Sequence, residues 1–172
     1  CLDELATEVV TVLRELHHVD GPMQLDLEID DREHPSNPKL VDAMRTLADK
    51  SSRGPENRQR MYNAMVNSRF LMPFDPAAGP EADPEDAIER VDTRNGRPVF
   101  AAFTDFGAMR LWRPLQTEYM PTHGSVLFEW LCEQEAATLL LNPDGRVGGE
   151  LFGNELEMLA EGVRRFVKKH GN

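Results

Sequence analysis

Residues 90–105 read RVDTRNGRPVFAAFTD, and their interpretation decides the fold. Asn95-Gly96 is the dipeptide that most readily takes the positive φ angles of a two-residue hairpin turn, so a strand is expected on each side of it. The second of these strands, Pro98 to Phe103, is apolar at every position after the proline. A strand apolar on both faces is buried on both faces, so it belongs at the centre of a sheet. Thr104 is the expected cap of a short helix carrying Ala108, Leu111 and Trp112, which Pro114 terminates.

Toward the C-terminus, Tyr119 to Pro121 is a short extended piece. A helix starting near Ser125 follows, with Leu127, Trp130 and Leu131 inward. Ala137 to Leu141 is a further apolar strand. Asn142-Pro143-Asp144-Gly145 is a turn, and Arg146 to Phe152 its hairpin partner. Asn154 is the expected cap of a last helix in which Leu156, Leu159, Ala160, Val163 and Val167 repeat at helical spacing, with Gly171 as its stop. Toward the N-terminus, Asn37-Pro38 reads as a cap followed by proline at the first helical position, with Leu40, Val41, Met44, Leu47 and Ala48 forming the apolar face. Pro55 opens another helix with Met61, Ala64 and Met65 inward. It runs into Phe70-Leu71-Met72-Pro73-Phe74, a short buried strand. Residues 75–86 hold three prolines and five acids and read as a surface loop.

The first 34 residues form a separate unit. Leu2, Leu5, Val9, Val12, Leu16 and Val19 fall on one helical face, and Asp20-Gly21-Pro22 ends that helix. Docking of this stripe on the rest of the chain is the plain explanation. Self-association into a homodimer through Leu5, Val9, Val12 and Leu16 is the sharper one. Residues 23–30 then alternate apolar and polar without exception, as a half-buried strand does. Its wet face carries Asp26, Glu28 and Asp30, continued by Asp31 and Glu33. This acidic row either receives a basic partner or serves as a solvated edge. The expected architecture is α+β: a mixed, mostly antiparallel sheet with helices packed on it over 35–172, plus an extra N-terminal helix and strand over 1–34.

The 172 residues carry 30 acidic and 19 basic side chains, a net charge of −11. That charge repels phosphate backbones, so nucleic acid is not an expected partner. The one basic cluster, Arg164, Arg165, Lys168, Lys169 and His170, sits where cations complement the end of a helix dipole. No apolar run approaches the roughly 20 residues a membrane helix needs, and no basic-then-apolar leader is present. The chain begins at Cys1 rather than Met, as a processed product or a fragment would. Two cysteines 131 positions apart form no disulfide framework and fit a reducing cytoplasm.

Several of these pieces, in their order, resemble the SseB N-terminal domain family, named for enhanced serine sensitivity. They are Asn37-Pro38-Lys39-Leu40, Pro55-Glu56-Asn57, Phe70-Leu71-Met72-Pro73, Gly96-Arg97-Pro98 leading into Ala102-Phe103-Thr104-Asp105, Leu127-Phe128, and Leu141-Asn142-Pro143. The resemblance spans about Asn37 to Leu159 and leaves residues 1–34 outside the family core. It implies an α+β domain found in bacteria, of unknown biochemical function, and it carries no catalytic residues over to this chain.

Chemistry has few candidates. Cys132 follows Leu131 on a helix and reads as an inert thiol. His123-Gly124-Ser125 lacks the G-x-S-x-G turn of a nucleophile elbow. His17, His18 and His34 could converge with Asp30, Asp31 or Glu33, but the spacings match no zinc or calcium loop, so no metal and no cofactor is expected. Gly145, Gly148 and Gly149 lie in a hairpin rather than a phosphate loop. The expected function is a non-enzymatic bacterial protein-interaction module, cytoplasmic, with a basic protein partner; an accessory or chaperone-like binder is its specific form. The alternatives are a small hydrolase or sulfur-transfer enzyme using Cys132 and His123, and a self-associating structural module.

Overall fold

The computed structural model describes residues 35–75, 77–78, 83, 86–115 and 118–170. The helix and strand expected over 1–34 lie outside the described residues, and with them Leu5, Val9, Val12, Leu16, Asp26, Glu28, Asp30, Asp31 and Glu33. So do Gly171 and much of the loop within 75–86. Chain order is α1 (Pro38–Ala48), a 3₁₀ turn (Lys50–Ser52), α2 (Pro55–Val66), β1 (Arg69–Pro73), β2 (Arg90–Arg94), β3 (Arg97–Ala102), α3 (Phe106–Trp112), β4 (Tyr119–His123), α4 (Gly124–Glu133), β5 (Thr138–Leu141), β6 (Gly149–Phe152) and α5 (Gly153–His170). The fold is α+β, as the alternation of patterns requires.

β2-β3-β5-β6 form one sheet, with β3 parallel to β5 and the outer pairs antiparallel. Asn95 and Gly96 take φ of 53° and 76° between β2 and β3, the double positive φ of the predicted turn. Because β3 and β5 run parallel, the chain must cross over between them, and α3, β4 and α4 make that crossing. The strands form two sheets rather than one: β1 pairs with β4 in a separate antiparallel ribbon. Pro121, within β4, has no N–H to offer, which suits an edge position. A bridge ties the ribbon to the main sheet: Leu71 N–H donates to Phe103 O at 2.9 Å, and Phe103 N–H donates to Leu71 O at 3.0 Å.

Alternation along β1 and β3 distributes side chains to two layers. Phe70, Met72, Phe100 and Ala102 join a large core with Leu40 of α1, Met65 of α2, Leu127, Phe128 and Leu131 of α4, and Leu156 and Leu159 of α5. Leu71, Ala101 and Phe103 face the other way, onto Met109 of α3. Both faces of β3 are therefore covered, which is why its sequence is apolar from Pro98 onward.

Four local expectations are corrected. Asn37 is the N-cap of α1, with Pro38 at the first helical position as expected, but its side chain makes no capping bond. Its Nδ2 instead donates to Arg69 O at 2.5 Å and Thr104 O at 2.7 Å, and its Oδ1 accepts from Arg69 N–H at 3.2 Å. Thr104 is fully buried, and the cap of α3 is Asp105, whose carboxylate accepts from Ala108 N–H at 2.8 Å. That one-residue shift turns Met109 inward and leaves Leu111 62% exposed. Asn154 lies inside α5, which starts at Gly153; Glu155 takes the capping role by accepting from Phe152 N–H at 3.1 Å.

The hairpin between β5 and β6 depends on Asn142, which is buried and takes φ of 45°. Its main-chain N–H donates to Ala102 O at 3.0 Å. Its side chain accepts from Thr104 N–H at 2.9 Å and donates to Thr104 Oγ1 and Val147 O, each at 2.9 Å. Asparagine tolerates the left-handed region better than other side-chain-bearing residues. Asn142→Ala would strand the buried Thr104 N–H and strain the turn. The expected loss is about 2–4 kcal/mol, read as a lower urea midpoint at unchanged m-value.

Candidate functional site

α2 and α5 diverge across an open groove of about 850 Å³, within the roughly 300–1,000 Å³ typical of ligand clefts. The first turn of α4 closes one end. Gly124 begins that helix against the last turn of α2, donating its N–H to Ser68 O at 2.8 Å. A Cβ at Gly124 would overlap the Met65 carbonyl, so glycine is what lets the two helices approach.

The α2 wall of the groove carries Gln59, Asn63 and Asn67, one per helical turn. Gln59 Nε2 donates to Asn63 Oδ1 at 3.0 Å, and Asn67 Nδ2 donates to Asn63 O at 2.7 Å. Tyr62 stands between them and donates its hydroxyl proton to Glu155 Oε1 at 2.7 Å. Burial, and then the Glu155 carboxylate, push the Tyr62 phenol up to about 12. Across the groove, α5 presents Met158, nearly half exposed, and Gly162, beside which a Cβ would meet nothing within 4 Å. Glu161 and Arg165 form an ion pair along the same helix. A glycine inside an 18-residue helix costs about 0.5–1 kcal/mol relative to alanine.

His123 and Ser125 sit at the closed end. The His123 ring accepts from Ser125 N–H at 3.3 Å, and its Nδ1 lies 2.8 Å from Ser125 Oγ, so His123 is the cap of α4. Cys132 lies in the last turn of the same helix, roughly 13 Å along the axis from His123 by the helical rise. The structure does not bring those two residues together. Cys132 is half-buried, and burial pushes its thiol up against the opposing pull of Arg164, a neighbour the linear sequence does not place beside it. Among the described residues no three His, Cys, Asp or Glu side chains gather as metal ligands, and no helix is long and apolar enough to cross a membrane. The acidic row and the Leu5–Leu16 stripe lie outside the described residues.

Sequence reading missed Tyr62, Asn63, Glu155 and Gly162. Two signals were available: the four-residue spacing of carboxamides on α2, and the glycine within the long apolar periodicity of α5.

The Tyr62 bond has a pH signature. A folded-state value above the ordinary 10.0 favours the neutral phenol, so its stabilisation is complete below pH 10 and is lost as pH rises toward about 12. In a Tyr119→Phe background, ultraviolet titration is expected to show Tyr62 ionising near 12. Adding Glu155→Gln is expected to lower that midpoint but leave it above 10.0, because burial, the larger cause, remains.

No curated protein and no solved structure matches the chain. The family model described as SseB protein N-terminal domain matches residues 40–158. It runs from Leu40 in the first turn of α1 to Met158 in α5, taking in the α2 wall of the groove and, of its α5 wall, Met158. That match covers well over half of the sequence, and the chain belongs to the SseB N-terminal domain family.

Proposed function

We propose that this chain is a non-enzymatic bacterial protein-interaction module, cytoplasmic, that receives a basic protein partner in an accessory or chaperone-like role. The observation that carries the reading is the groove: open to solvent, lined by Val66, Met158, Leu159 and Val163 as well as by hydrogen-bonding side chains, with its ionisable groups already engaged. The Tyr62 proton is held by Glu155, the His123 ring is spent on a helix cap, and Glu161 answers Arg165. Such a surface offers contacts rather than an activated nucleophile, which would need a base aimed at it by a third group. The net charge of −11 supplies long-range attraction for a basic protein and raises the rate of encounter, an effect that salt screens. Cys132, raised by burial and remote from His123, supports binding over thiol chemistry.

The test is an affinity capture from source-cell lysate with the chain as bait, eluted at rising ionic strength and read by mass spectrometry. One basic protein released by salt is expected, and Cys132→Ala is expected to retain it. Recovery of the bait alone would contradict the reading, and loss of binding in Cys132→Ala would favour a thiol-dependent activity instead.

A further inference from the structure

The apolar residues of the groove are offered to solvent unequally. Leu159 and Val163 are 4% and 5% exposed and belong to the core, and Val66 is half-buried. Met158 is 47% exposed and is the one exposed apolar side chain among the lining residues. It also stands apart from the other methionines. Met44, Met65, Met72 and Met109 are 6%, 1%, 0% and 0% exposed, and Met61 and Met120 are half-buried. Met23 lies outside the described residues. One helical turn beyond Met158 is Gly162, which has no side chain to shield it.

A thioether sulfur reacts with hydroperoxides wherever they reach it. One oxygen passes from the peroxide to Sδ: the O–O bond breaks, an S–O bond forms, the sulfur loses two electrons, and hydrogen peroxide leaves as water. The sulfoxide is polar and is returned to methionine by methionine sulfoxide reductases. Inside a core this change breaks packing. At Met158 solvent already meets the side chain, so α5 keeps its fold while the groove loses its exposed apolar contact and gains a hydrogen-bond acceptor. Cys132 is a poorer target, because burial pushes its thiol up, away from the thiolate that reacts.

We infer that Met158 is a site of reversible oxidation by hydroperoxides, and that its sulfoxide weakens the hold of the groove between α2 and α5 on its protein partner. The inference rests on the interaction-module reading and adds to it a regulation of the same site.

The experiment treats the intact chain with dilute hydrogen peroxide and follows each methionine-containing peptide by mass spectrometry. The Met158 sulfoxide is expected to form about tenfold faster than those of Met44, Met65, Met72 and Met109. Circular dichroism and Tm are expected to be unchanged when Met158 has reacted and those four have not. At that point the chain is used as bait in gel-filtered lysate, which lacks the small reductants that would reverse the change. Recovery of the salt-released basic protein is expected to fall several-fold, and to return after treatment with the two epimer-specific methionine sulfoxide reductases. Met158→Leu nearly conserves volume and helix preference, and its recovery is expected to show no dependence on peroxide. Equal oxidation rates at Met158 and the buried methionines, a lowered Tm, or recovery that peroxide leaves unchanged would each overturn the inference. So would the same fall in recovery in Met158→Leu. The two failures are distinguishable: if only the inference fails, the unoxidised chain still captures its basic protein. If the module reading fails, the unoxidised chain captures nothing, and both are overturned.

Discussion

The fold turns on how Thr104 is held. Three segments remote in sequence meet there: Asn37 at the start of α1, the end of β3, and Asn142 at the end of β5. Thr104 N–H and Oγ1 go to Asn142, and its carbonyl goes to Asn37, which also clasps the main chain of Arg69 at the start of β1. Two carboxamide side chains thereby fasten the ribbon β1–β4 beside the main sheet, and the Leu71–Phe103 bridge continues that seam. Buried polar groups without partners cost more than most apolar contacts return. A seam satisfied on every side therefore specifies one arrangement of the two sheets and disfavours the rest. The groove inherits that precision, because β1 leads directly out of α2 and β4 leads directly into α4.

Electrostatics in this chain work at two ranges. The overall charge acts at a distance and carries no shape. Near the groove, Glu161 and Arg165 pair with each other, and the Tyr62 hydroxyl bonds to Glu155 between the two helices.

Much of the fold was legible because its signals are local. Asn95-Gly96 announced its turn, Asn142-Pro143-Asp144-Gly145 its own, and the apolar run from Val99 to Phe103 its central place. Thr104 and Asn154 misled as caps, and Asn37 holds its cap position without a side-chain cap, because cap rules look only a few residues ahead. Asn37 bonds to Thr104, 67 positions away, and Thr104 to Asn142, 38 positions away. The division into two sheets was hidden for the same reason. The groove was the least legible feature, since its walls lie about a hundred positions apart and neither alone departs from an ordinary helix. His123-Gly124-Ser125 drew attention as a catalytic fragment and serves as the start of α4 instead.

The central claim is that Asn37 and Asn142 act as one unit through Thr104. A double-mutant cycle of Asn37→Ala and Asn142→Ala, followed by urea denaturation, tests it most directly. The account predicts that the double variant loses less than the sum of the singles, with an interaction energy of about 0.5–3 kcal/mol, because either change already frees Thr104. Losses that add to within about 0.5 kcal/mol would contradict it and would make the two residues independent local supports.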